Sequence, residues 1–394
     1  MIKTRLNKYA IHNGKIPSNT LFNCPKFIQH LNTRNVYNSI EKWASTTEGK
    51  HSIYSPLQIS NFTKLIFRSL FLIFIENEVN LHSFKVMVDY EEFKCFDAAF
   101  ELILQNPNFV HNIKNLTLGF GEITDNVRKF LRFLCSNCKS ISSFYFLFIC
   151  NEYSIIEENL SQMIKFQENL KKISFRYKNP TLNLLLSLKN PNCSNTLNTI
   201  IFQYTNFENI NVLSEVFNQL NVLESIHIIY CCSLDSKFIQ QIKNITKPFK
   251  LKSLFLDQMD ELLLEPSIIL QNLGQILPFK LEYLNLGFAI NESDLEVFLK
   301  NSQNTFIKKL LIRKNVRNPK NDGSQYILPY IKEYIMKKKR VKYLAISELW
   351  LFHRKNADLY SLKDKVKEFQ LYDIQVLNYN DLVIDVYDFI NKTY

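Results

Sequence analysis

From residue 81 onward one arrangement of positions recurs along the chain: apolar, any, any, apolar, any, apolar, with Leu, Ile or Phe at most apolar places. It stands at Leu81/Phe84/Val86, Ile113/Leu116/Leu118, Ile141/Phe144/Phe146, Leu170/Ile173/Phe175, Leu197/Ile200/Phe202 and Leu223/Ile226/Ile228. It continues at Leu251/Leu254/Leu256, Leu281/Leu284/Leu286, Ile307/Leu310/Ile312, Val341/Leu344/Ile346 and Leu371/Ile374/Val376, eleven copies spaced 26 to 34 residues apart. One such triplet means nothing in an apolar-rich chain; near-constant spacing over so many copies is the mark of a repeat architecture.

Within each copy the last two apolar residues alternate with a variable one, which predicts a short strand with both on one face. Amphipathic helical stretches fall between copies, at Asn126 to Leu134, Val212 to Leu220, Ser236 to Ile245, Asp294 to Leu299 and Tyr326 to Met336. Strands joined through helices run parallel, and a single strand-helix unit cannot bury its apolar face alone, so the units must stack. The expected fold class is α/β: residues 81–394 form a horseshoe-like solenoid with parallel strands on its concave face and loops of uneven length.

Residues 1–80 lack the repeat. Two helical stretches are predicted there, Pro25 to Trp43 and Pro56 to Ile75, with Asn23 and Ser55 near their starts. The second is apolar on most faces, with only Lys64 and Arg68 as charged interruptions, so it is expected to cap the solenoid, as terminal units of such arrays require.

The repeat resembles that of the leucine-rich-repeat family, L-x-x-L-x-L-x-x-N/C. Cys231, counted from Leu223, and Asn315, counted from Ile307, occupy the motif's last position, while the other nine copies depart from it. The resemblance implies long, irregular repeats of the ribonuclease-inhibitor-like kind. A helical N-terminus followed by such repeats is similar to the F-box/leucine-rich-repeat proteins, especially the fungal type. Leu21 to Trp43 (LFNCPKFIQHLNTRNVYNSIEKW) resembles the segment after the F-box, and Cys135 to Phe146 (CSNCKSISSFYF) and Asn169 to Tyr177 (NLKKISFRY) resemble the arrays. In that family the F-box recruits the adaptor of a cullin-RING ubiquitin ligase and the repeats hold the substrate. Ile16-Pro17 to Trp43 has the spacing of an F-box without its Leu-rich helices, so a missing or degenerate box is expected.

Composition narrows the function classes. The uncharged stretch between Glu265 and Lys280 is shorter than a membrane span and holds Pro266 and Pro278. No signal-peptide block opens the chain, so a cytoplasmic or nuclear protein is expected. A net charge of +11 raises the alternative of a nucleic-acid-associated protein using the basic N-terminus and the run Lys337-Lys338-Lys339-Arg340 with Lys342. The charge is dispersed, however, and the run falls where a helix should end, where cations complement the helix dipole.

Catalytic patterns are lacking. Cys135 and Cys138 make a lone C-x-x-C without a second ligand pair at finger-like spacing. Gly119-Phe120-Gly121 sits between strand and helix, but Thr124 replaces the third glycine of a dinucleotide loop. There is no H-E-x-x-H, G-x-S-x-G or G-K-[ST]. A non-enzymatic protein-binding scaffold is expected, without cofactor, metal or membrane. Its partner or substrate protein should lie on residues between or just after the apolar strand positions: Tyr145, Arg176, Gln203, His227, Phe255, Asp257, Asn285 and Arg313. The ligase adaptor would engage the N-terminal region. A stand-alone interaction protein without a ligase link is the other reading.

Overall fold

The computed structural model of the chain describes residues 27–47, 56–89, 92–148, 153–176, 180–245, 250–258, 266–288, 290–316, 323–350 and 356–384. The chain divides into two compact units, Met1–Leu170 and Lys171–Tyr394. Both are α/β, with parallel strands ordered as in the chain and helices between them, which is the solenoid architecture the repeat predicts.

In the first unit β1 (His30–Asn32), β2 (Ser83–Val88), β3 (Asn115–Phe120) and β4 (Ser143–Phe148) pair in sequence order. Register places Phe84, Leu116 and Phe144 side by side, with Val86, Leu118 and Phe146 in the next row. All six are buried. The helices Phe93–Leu104 and Asp125–Asn137 add Phe96, Phe100 and Phe130, whose rings meet edge-on or tilted at 5.4 to 6.0 Å, and Phe84 joins Phe130 edge-on at 6.5 Å. Edge-to-face aromatic contacts add to the area they bury.

The Pro25 to Trp43 stretch, expected as helix, instead gives β1 and then the helix Thr33–Thr47. The break has a local cause: the Asn32 side chain accepts the Arg34 N–H at 3.1 Å, an Asx-type turn that starts the helix. Thr33 extends the ladder past the strand's end, because its hydroxyl donates to Met87 O and accepts from Met87 N, both at 2.9 Å. The second expected helix runs over Pro56–Glu76. Asn23, Ser55 and Ile16-Pro17 lie outside the described residues.

Side chains outside the consensus satisfy the turns between helix and strand. Gln167 is fully buried, donates to Cys138 O at 2.8 Å and Met163 O at 2.9 Å, and accepts from Ile141 N at 2.8 Å. Thr124 caps the helix Asp125–Asn137 through Val127 N at 3.3 Å. Gly119 belongs to β3, and a Cβ there would stand 2.8 Å from Met87 Sδ.

The second unit carries β5 (Lys172–Arg176), β6 (Thr199–Gln203), β7 (Ser225–Cys231), β8 (Ser253–Gln258), β9 (Lys280–Phe288), β10 (Phe306–Val316) and β11 (Val341–Trp350), all parallel and in chain order. Ile173, Ile200, Ile226, Leu254, Leu284, Leu310 and Leu344 form one continuous row. Ile226, Leu254 and their triplet partners Ile228 and Leu256 pack toward Phe238, Ile239, Ile269 and Leu273 of the helix layer. Helix N-termini are capped by Asp235, which accepts from Lys237 N and Phe238 N, and by Asn291, which accepts from Asp294 N. Gly274 of the helix Pro266–Ile276 lets the next helix, Glu292–Asn301, approach so closely that a Cβ would fall 2.7 Å from Phe298 O.

Two short strands flank β11: β12 (Asn356–Asp358), antiparallel to it, and β13 (Gln375–Val376), parallel to it. β13 carries the eleventh copy with a slip of two residues, because Leu344 pairs with Val376 instead of Ile374. A two-residue slip keeps each side chain on its face. It also pushes Leu371 into solvent at 81% exposure, while the first apolar residue of the other ten copies is buried. Among the described residues no helix is long and apolar enough to cross a membrane.

Candidate functional site

Alternate residues of the second unit's strands point away from the helices and form two rows. One holds Ser174, Ile201, His227, Phe255, Asn285, Leu311 and Ala345; the other holds Arg176, Gln203, Ile229, Asp257, Gly287, Arg313 and Ser347. Seven of the eight residues proposed from sequence stand in these rows. Tyr145 is on β4 of the first unit.

None of the eight lies open. His227 and Asn285 are fully buried, and Tyr145, Arg176, Gln203, Phe255 and Asp257 are buried too. The Arg313 side chain retains 18% exposure. The cover over the second unit is in part the chain's own continuation beyond β13. Tyr379, Leu382, Val383 and Ile384 pack on a cluster of Ile201, Ile229, Phe255, Tyr283, Leu311 and Ala345.

Polar contacts fix this strap in place. The Tyr379 hydroxyl donates to Asn285 Oδ1 at 2.9 Å, and the Asn285 amide donates to the Tyr283 hydroxyl at 3.3 Å. That same hydroxyl accepts the Ile384 N–H at 3.3 Å. Asp358 accepts Tyr379 N at 2.9 Å, and Leu377 N donates to Leu344 O at 3.0 Å. The Arg313 guanidinium lies over the Tyr379 ring, 5.9 Å from its centroid, a cation–π contact strengthened by desolvation.

Around Asp257, Arg313 and His227 charge is paired or suppressed. Asp257 and Arg313 form an ion pair. Burial pushes the Asp257 carboxyl up to about 6, with Arg313 pulling the other way. Burial works against the Arg313 charge as well, but the Asp257 carboxylate and Tyr379 outweigh it, so its pKa lies above the ordinary value and it stays protonated. His227 stacks on Phe255, with centroids 6.1 Å apart. Burial, helped by Lys172, holds its pKa down to about 3, so the ring is neutral at physiological pH. Burial also raises the Tyr379 hydroxyl, keeping it a neutral donor.

At one margin of the face the Arg176 guanidinium lies 5.5 Å from the Tyr204 ring centroid, and Tyr204 stacks on Tyr230 at 5.2 Å. Tyr204, just after β6, and Tyr230, at the register shift near the end of β7, both stand in the left-handed region, at φ 55° and 52°, a conformation uncommon for bulky residues and held here in two successive repeats.

The basic run is not a free patch. Lys337 pairs with Glu333 and Lys339 with Asp373 at 2.8 Å. Arg340, expected at a solvated helix end, is buried. It donates to Leu299 O and Thr305 O, each at 3.2 Å, and to Ser302 O. It therefore closes the C-terminus of the preceding repeat's helix, Glu292–Asn301, where a cation and a donor are both needed.

Among the described residues the cysteines are buried, apart from the half-buried Cys232. Cys135 donates to Asn159 O and Cys138 to Val110 O, each at 3.2 Å, and burial raises their pKa to about 11 and about 12. Cys231, at the consensus position, is buried with its thiol toward Phe202 O at 3.5 Å. The Asn315 side chain lies outside the described residues. Among the described residues no three His, Cys, Asp or Glu side chains gather as a metal site would require.

Sequence reasoning missed Ile201, Ile229, Tyr283, Leu311, Ala345 and the strap. A signal for the first group does exist: Ile200-Ile201-Phe202, Ile228-Ile229, Leu310-Leu311-Ile312 and Leu344-Ala345-Ile346 are continuous apolar runs, which mark strands buried on both faces. No protein-family model matches the chain, and no curated protein is significantly similar to it.

Proposed function

We propose that this chain is a non-catalytic protein-binding scaffold that holds another protein on the sheet face opposite its helices, as the substrate-recognition part of a cullin-RING ubiquitin ligase. One observation supports the scaffold reading above others. The face of the second unit already seats a protein segment, Tyr379–Ile384, by combining an apolar cluster with hydrogen bonds that Asn285 and Tyr283 accept from the segment. Apolar anchors ringed by a few placed polar groups are what such interfaces use. The ligase step rests on the resemblance of the repeats and of Leu21 to Trp43 to F-box/leucine-rich-repeat proteins. In the nucleic-acid alternative the Lys337 run would have to supply free charge, and Arg340, Lys337 and Lys339 are engaged within the unit.

The test is capture from cell extract with the tagged full chain, scored by mass spectrometry. Recovery of the ligase adaptor and cullin with a client protein is the expected result. Stable clients without adaptor or cullin would leave a stand-alone scaffold, and recovery of nucleic acid in place of protein would overturn the reading.

A further inference from the structure

The strap is bound less completely than the face beneath it. Leu382, Val383 and Ile384 are only partly buried, while Ile201, Ile229, Phe255, Leu311 and Ala345 retain at most 3% exposure. It also leaves polar groups unsatisfied. Asp257 Oδ1 and Gln203 Oε1, on strands two apart in one row, have no hydrogen-bond partner among the described residues, though their residues are 1% and 5% exposed. A buried acceptor without a donor carries its full desolvation cost. Release would break few bonds: the contacts of Tyr379 with Asn285 and Asp358, the Ile384 N–H bond to Tyr283, and the short β13 pairing. The ladder from β5 to β11 would stay whole.

Resting on the scaffold reading above, we propose that this face is a docking site for a short segment of another protein that opens with a helical turn, as Tyr379–Leu382 does, and carries a tyrosine followed three to five residues later by aliphatic side chains, and that Tyr379–Ile384 is a resident mimic which that segment displaces. The spacing is the strap's own: Tyr379, then Leu382, Val383 and Ile384. The tyrosine hydroxyl is read by Asn285 Oδ1, its ring by Arg313, and the aliphatic residues by the cluster of Ile229, Phe255 and Leu311. A partner whose backbone N–H groups reach Asp257 Oδ1 or Gln203 Oε1 gains bonds the strap does not make. Tethering gives the strap an effective concentration on the order of millimolar, so the face is closed to weak segments and open to better ones. The apparent affinity of a partner falls by the fraction of molecules with the strap released.

The experiment is fluorescence anisotropy of a labelled peptide with the sequence of residues 378–384, titrated with three forms of the full chain. These are the unaltered protein, a strap variant (Tyr379→Ala, Val383→Ser, Ile384→Ser), and the strap variant with Asn285→Ala added. The strap variant should bind at least about 10-fold tighter than the unaltered chain, as a strap closed about nine-tenths of the time requires. A peptide with Phe in place of Tyr should bind it about 10-fold more weakly, because a site built to accept a hydroxyl proton penalises its absence. Asn285→Ala should erase that difference. Equal binding by the unaltered chain and a folded strap variant would overturn the proposal, as would equal binding of the Tyr and Phe peptides.

If the strap variant does not fold, hydrogen exchange on the unaltered chain decides. Excess peptide should cost the Val383 and Ile384 amides their protection while those of Leu284 and Leu310 keep theirs, and unchanged strap protection would overturn the proposal. The scaffold reading stands or falls on the extract capture alone, so clients recovered there alongside a negative peptide result would place their binding elsewhere on the chain.

Discussion

Asp257 and Arg313 form an ion pair across an intervening strand, β8 to β10, and the residue between them in the row is Gly287. Strands two apart are about 9.5 Å from each other, so the side chains must lean over β9 to meet. A Cβ on Gly287 would sit 2.8 Å from Asp257 Oδ1 and 2.9 Å from its Cγ. The missing side chain is what makes the contact possible. Gly287→Ala should therefore force the pair apart and destabilise the protein by about 3 kcal/mol, from overpacking and the loss of a buried pair. The same substitution in an Asp257→Ala/Arg313→Leu background should cost less than about 1 kcal/mol. Urea unfolding of the four proteins measures the coupling, and equal costs in both backgrounds would show that the glycine serves something else.

Two groups of this face should pull stability in opposite directions as pH falls. His227, held near 3 when folded, binds protons more readily once unfolded, where its pKa is about 6.5. Its contribution is complete above about pH 6.5 and is lost at about 1.4 kcal/mol per unit as pH drops toward 3. Asp257, raised to about 6 from an unfolded value of about 3.9, binds protons more readily when folded. It therefore costs stability above pH 6, and that cost is relieved as pH drops from 6 to 4. Between pH 6 and 4 the two nearly cancel. His227→Gln should leave a protein that gains stability relative to the unaltered one across that window, while Asp257→Asn should leave one that loses it. Thermal melts at pH 7, 6, 5 and 4 would show the curves diverging with opposite signs; parallel curves would mean that neither group titrates as its burial demands.

Arg340 separates the structural from the solvated part of the basic run. Its guanidinium serves Leu299 O, Ser302 O and Thr305 O together, a fork that an ammonium cannot reproduce. Arg340→Lys should cost about 2 kcal/mol and Arg340→Met about 3 or more, since each buried acceptor left unpaired costs about 1–3 kcal/mol. Lys338 is exposed, and Lys338→Ala should change stability by less than about 0.5 kcal/mol. Chemical denaturation distinguishes these. A loss on Lys338→Ala equal to that on Arg340→Lys would contradict the buried role.

What could be read from the sequence follows from how far apart the cooperating residues lie. The triplets were visible because each strand's apolar positions are two and three residues apart and recur with every layer, so Ile200, Ile226 and Leu254 announce both strand and register. The eleventh copy misaligns because Ile374 and Val376 fit the ladder equally well in pattern, and only packing against β11 chooses Val376. β1 is three residues long and has no triplet, and a hydroxyl on Thr33 does part of its pairing. The strap is the furthest from any periodic signal. Tyr379 meets Asn285 across 94 positions of sequence and Ile384 meets Tyr283 across 101, and such a contact depends on shape and on one amide. Periodicity therefore sets seven of the eight candidate residues in the two rows away from the helices, but it carries no sign of what covers them.

Thr33 offers the last check, on how the first unit's sheet is closed at its margin. Both backbone groups of Met87 point at a position where a full strand would supply a carbonyl and an N–H, and a single buried hydroxyl serves both at 2.9 Å. Thr33→Val keeps the volume and β-branching but removes donor and acceptor together, so it leaves two buried main-chain groups unpaired and should cost about 2–4 kcal/mol. Thr33→Ser keeps the hydroxyl and loses a methyl, which should cost about 1 kcal/mol. The Met87 amide reports on the mechanism directly: in hydrogen exchange it should lose protection at least about 30-fold in the Val variant, an opening eased by about 2 kcal/mol, and hold near its original value in the Ser variant. A Val variant that unfolds at the same urea concentration as the unaltered chain, with Met87 still protected, would mean that the margin of β2 is satisfied by something other than Thr33.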